Sequence, residues 1–138
     1  MASLEERAAQ PREYETETIE VVVGGELTTL KFTELPGHEW HDIASRAPVR
    51  VGVDVDKEFG YNPHVASSLA APRCGVVVEG DVERTLDSET WGALIAGLSG
   101  SDFATLSGII FYLNELSPQR RLTSLKKASA ATAASEQK

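Results

Sequence analysis

The sequence predicts an α+β fold, mainly helical. An N-terminal β-hairpin over residues 18–33 is followed by a small bundle of about four helices, with flexible tails at both ends. Three observations predict it. Apolar residues alternate with polar ones on either side of Gly24-Gly25. Three later segments repeat one helix-start pattern, a leucine five residues before an aromatic ring. The two ends are poor in large apolar side chains. The reading gives 1–17 as a flexible acidic segment, 18–116 as one globular domain and 117–138 as a flexible basic tail.

In chain order, Ile19, Val21 and Val23 share one face of the first strand. Gly24-Gly25 supplies the positive φ of a tight turn, and Leu30 and Phe32 continue the alternation on the return strand. The first helix start is LPGHEW, with Leu35 set against Trp40 and the helix running to about Arg46. Pro36 is a weak cap there, and Glu39 favours the helix dipole. Pro63 opens a short helix over 64–71 that is expected to bury Val65 and Leu69. GVVVEGDVERTL, residues 75–86, reads equally as a short strand at Val76–Val78 or as a buried connector. Asp87 caps a helix over 88–98 that aligns Trp91, Leu94, Ile95 and Leu98, with Leu86 packing on Trp91. Ser99 caps the strongest helix, 101–116, with Asp102 closing a capping box and Leu98 packing on Phe103. Its stripe of Phe103, Leu106, Ile110 and Leu113 is core. An adjoining stripe of Ile109, Tyr112 and Leu116 is either more core or a surface for a client or a second copy of the chain. Pro118 is expected to end the helix.

Charge narrows the function classes. The net charge is −8 over 138 residues. Residues 1–20 hold six acids against two bases, and residues 117–138 hold five bases against one acid. The acidic body argues against nucleic acid as a partner, since phosphate contacts need clustered Lys and Arg. The basic tail reads as a solvated segment that offsets the body electrostatically, with contact to an acidic partner or RNA as the alternative. No apolar run approaches the ~18 residues of a membrane span, and no signal peptide is visible at the N-terminus. Cys74 stands alone, which fits a cytoplasmic setting without internal disulfides.

Chemistry-bearing residues are few. In LPGHEWHDI, His38, Glu39 and His41 sit within four positions, but a zinc-protease helix needs histidines four apart and a third ligand. They read as exposed residues of a first helical turn. DVDKEFG spaces Asp54, Asp56 and Glu58 as a calcium loop does, yet Phe59 and Val65 fall where that loop needs Gly and Glu. It reads as a solvated acidic loop. No phosphate-binding, dinucleotide or nucleophile-elbow motif occurs, and no cofactor is implied.

FGYNPHVASSLAAPRC, residues 59–74, places Gly60, Tyr61, Asn62 and Pro63 ahead of a helix that ends in small residues and a Cys. LDSETWGAL and then LSGSDFATLSGIIFYLNE follow, after LPGHEWHDIASRAP. In order and spacing, residues 34–116 resemble the tail assembly chaperones of long-tailed, siphovirus-type phages of actinobacteria. The valine-rich residues 75–83 depart from that pattern. The resemblance implies a non-enzymatic protein of the host cytoplasm, absent from the mature virion. Such a protein binds the tape measure protein and assists assembly of the tail tube protein, with self-association possible. It also implies a longer product made by ribosomal frameshifting near the end of the frame, for which Lys126-Lys127 is one candidate position. The competing readings are a small structural virion protein of the tail or head and, further off, a metal-dependent enzyme built on His38 and His41.

Overall fold

A computed structural model describes residues 1–136, and residues 137 and 138 of the expected flexible tail lie outside the described residues. The fold is α+β, with one four-stranded antiparallel sheet in the order β1-β2-β3-β4. The N-terminal hairpin pairs β1 (Thr16–Val23) with β2 (Glu26–Thr33). Gly24 and Gly25 turn it with φ of +59° and +81°, a conformation that side chains with a Cβ disfavour. Ile19, Val21, Leu30 and Phe32 lie on the buried face, and Glu20, Val22 and Leu27 face outward.

Residues 75–86 supply two further strands. β3 (Gly75–Glu79) and β4 (Val82–Arg84) form a second hairpin around Gly80. β3 docks on β2 with Leu30 opposite Val77 and Phe32 opposite Gly75. Gly75 has no room for a side chain: an added Cβ would lie 2.7 Å from Phe32, 2.8 Å from Trp91 and 2.9 Å from the Ala71 carbonyl.

Helices are more numerous than the expected four. α1 (Leu4–Ala9) lies within the segment expected to be flexible. Ser3 caps it, and none of its residues is buried. α2 (Gly37–Ala44) follows Pro36, which makes no side-chain cap bond. α3 (Asp54–Phe59) replaces the expected acidic loop, ended by Gly60 at φ +85°. α4 (Pro63–Cys74) is capped by the Asn62 side chain. α5 (Ser88–Ala96) is capped by Asp87, whose Oδ1 accepts from the Thr90 amide at 2.7 Å. Hydrogen bonding from the Thr90 side chain, and then from its amide, holds the Asp87 carboxyl below the usual carboxylate range. α6 (Gly100–Phe111) is capped by Ser99.

The face that α4 buries is the reverse of the expected one. Val65 and Leu69 are 39% and 43% exposed, while Ala66, Ser67, Ala70, Ala71 and Cys74 are buried. α4 lies against α6, and small side chains permit that close approach. The Ser67 hydroxyl donates to the Ser107 carbonyl across the seam. The capping box of α6 is also left open. The Asp102 carboxylate accepts the Val22 amide at 2.9 Å, tying the outer edge of β1 to the start of α6.

The core gathers Trp40, Trp91, Leu106, Ile110 and Leu113 between sheet and helices, with Leu35 buried and Leu86 and Leu98 packed at its margin. Phe103 does not join them. It is half-buried, with its ring beside His64 at a 5.9 Å centroid distance.

Helix continues past Pro118. α6 passes through a π-turn (Tyr112–Leu116) into α7 (Ser117–Glu136), where a flexible tail was expected. The Ser117 amide donates to the Tyr112 carbonyl, five residues back, and this wider turn relieves the usual clash between a proline ring and the preceding turn. The composition argument holds for burial, since residues 119–134 are all exposed. It fails for helix formation because α7 grows from a helix already nucleated, through a run rich in alanine.

Candidate functional site

The residues singled out in the sequence converge on the end of the long helix. Gly60, Tyr61, Asn62 and Pro63 form the joint between α3 and α4. Gly60 ends one helix, the Asn62 side chain caps the next and Pro63 occupies its first turn. Asn62 is further fixed by its amide, which donates to the Ala47 carbonyl at 3.1 Å. Tyr61 is buried, and its hydroxyl donates to Glu115 Oε1 at 2.7 Å. Trp40 Nε1 donates to the same oxygen at 2.8 Å, with its ring edge-on to Tyr61. Burial, reinforced by the Glu115 carboxylate, pushes the Tyr61 hydroxyl far above the ordinary tyrosine range. Asn114, the next residue along the π-turn, accepts the Leu35 amide and donates to the Ile110 carbonyl, both at 2.9 Å. The π-turn therefore fastens α2 and the α3–α4 joint to the last helix.

Of the second stripe, Ile109 and Tyr112 are half-buried against the core and Leu116 is exposed. Below it, the anchors of α7 among the described residues lie at its root. Glu34, 3% exposed, receives Arg121 at 2.9 Å and Arg12 on the same oxygen, and its other oxygen takes the Glu15 amide at 3.4 Å. Ser117 donates to Glu15. Arg120 donates to the Tyr112 hydroxyl at 3.3 Å. An open cleft lies beside this root, lined by Tyr14, Tyr112, Arg120, Ser124 and Leu125. These anchors join residues up to 102 positions apart, and no local signal in the sequence marks them.

Neither of the other motifs builds a reactive centre. His38 and His41 are exposed on α2, and no group of three or more metal-ligating side chains occurs among the described residues. Asp56 is fully buried rather than solvated. It takes the Arg50 amide and both arms of its guanidinium at 2.9–3.0 Å, and these bonds hold its carboxyl below the usual range. Cys74 is buried between α4 and β3, and burial pushes its thiol up to about 12, so it is not a thiolate near neutral pH. His64 Nδ1 and Ser107 Oγ share a hydrogen bond of 2.9 Å, yet Ser107 is 2% exposed and faces the α4–α6 seam, where no substrate reaches it.

Comparison with protein-family models, curated proteins and solved structures gives no match. No described helix is long and apolar enough to cross a membrane.

Proposed function

We propose that the chain is a tail assembly chaperone that acts by binding protein partners without catalysing a reaction. Its client is the tape measure protein, its second partner the tail tube protein, and its place the host cytoplasm during assembly. The observation that carries this reading is α7. A helix of 20 residues, about 30 Å long, is held at its root by the Arg121–Glu34 ion pair and the Ser117–Glu15 hydrogen bond, and its residues 119–134 are exposed. A protein that displays so much ordered helix offers it to something else. The order of motifs over residues 34–116 supplies the identity of that partner.

The resemblance also supports a longer, frameshifted product. An extension made by a shift at Lys126-Lys127 would begin part-way along α7. The test is mass spectrometry of infected cells against purified particles. The chain should be abundant in lysates during assembly and absent from virions. Stoichiometric recovery from virions would make it a small structural virion protein instead.

A further inference from the structure

The face of α7 that the body leaves uncovered has a definite chemical pattern. Leu122 and Leu125 are 54% and 67% exposed, and with Pro118 they form one narrow stripe along the helix. At ~100° per residue, Arg121 and Lys126 lie about 70° to either side of that stripe. Arg120 and Lys127 fall on the opposite face of the helix, about 170° away. No acid occurs between Leu116 and Glu136. The apolar stripe is therefore bordered by Lys126 on one side and, on the other, by Arg121, which already pairs with Glu34.

We infer that α7 docks an acidic amphipathic helix of a partner protein, with leucine-type side chains against Leu122 and Leu125 and carboxylates against Lys126. Charge complementarity selects this occupant. Residues 1–116 carry a net charge of −12 by formal count, so the body repels a polyanion such as nucleic acid that would spread beyond the helix. A membrane surface is a poor alternative, because the stripe holds two leucines and no aromatic ring, too little apolar area to anchor a helix in lipid. A second α7 would set like charges against each other. A protein helix of opposite sign covers the leucines and pairs with Lys126 in one contact. The inference rests on reading α7 as the partner-binding element and is independent of which phage protein that partner is.

The test uses the full chain and a fluorescently labelled peptide of about 20 residues, long enough to hold a helix, with leucines spaced i, i+4 and i+7 and glutamates along the border that meets Lys126. Binding is read by anisotropy. Leu122→Ala/Leu125→Ala keeps helix propensity and should weaken binding on the order of tenfold. Lys126→Glu should do the same. Lys127→Glu, which changes net charge equally from the far face, should change it less than about threefold. Circular dichroism of each variant reports that the helix persists. Absence of binding would overturn the inference. So would equal effects of Lys126→Glu and Lys127→Glu, equal binding of a peptide with scrambled leucines, or tighter binding to an oligothymidylate or to anionic lipid vesicles. Loss of peptide binding with client capture intact removes this inference alone. Peptide binding without client capture removes the tail-assembly reading alone.

Discussion

Gly75→Ala adds one methyl group where the fold has no space for it. Gly75 is the residue after α4 and the first residue of β3, and its φ of −111° is open to any residue, so backbone strain is not the issue. The new Cβ would meet Phe32 Cε1 at 2.7 Å, Trp91 Cζ2 at 2.8 Å and the Ala71 carbonyl oxygen at 2.9 Å. None of the three yields easily. Phe32 is held in register opposite Gly75, and Trp91 is fully buried. The Ala71 carbonyl accepts the Gly75 amide itself. Overpacking of this kind costs about 1–3 kcal/mol. Replacing glycine by alanine returns about 0.4–1 kcal/mol through the less flexible unfolded chain. The expected net loss is about 1–2 kcal/mol, measured as a lower urea midpoint at unchanged slope. Phe32→Leu removes one of the clashing atoms, so Gly75→Ala should cost less in that background, with a coupling of about 0.5 kcal/mol or more. A Gly75→Ala variant as stable as the parent, or strictly additive with Phe32→Leu, would refute the packing described for the β2–β3–α5 junction.

Two further outcomes follow from the ion pairs. A chain ending after Leu122 keeps the Ser117–Glu15 and Arg121–Glu34 bonds, and its stability should match the full chain within about 0.5 kcal/mol. One ending after Leu116 loses both and should be less stable by about 1–3 kcal/mol in the same urea assay. Asp56 is held below its unfolded pKa by Arg50, so its contribution is present above pH ~3.9 and is lost as pH falls through the lower, folded value. Asp56→Asn should flatten that acid limb of the stability profile, and an unchanged limb would count against the buried pair.

The hairpin was legible because its signals are local: two glycines at positive φ between alternating strands. Trp40 and Trp91 were legible as core because each follows a helix start at the staple spacing. The second hairpin was not, since three consecutive valines erase the alternation that marks a half-buried strand. The buried face of α4 is not legible because apolar size points to Val65 and Leu69, whereas close helix packing selects Ala66, Ala70 and Ala71. α7 was hidden by Pro118, whose breaking effect a π-turn removes, and nothing in the residue pattern announces that turn. Buried Asp56 reads as a surface acid in the sequence, because the arginine that neutralises it is identified only by the fold. The motif Gly60–Pro63 was visible as a unit, but its bond from Tyr61 to Glu115 spans 54 residues and needed coordinates.

The central claim is that the chain keeps a tail client soluble through α7. Co-expression of the full chain with a tape measure protein, the proposed client, followed by measurement of the soluble client fraction and of co-purification, tests it most directly. The account predicts a soluble complex with the full chain. It predicts an insoluble client with the chain ended after Leu122, which remains folded. Equal solubility with and without α7, or no complex in either case, would contradict it.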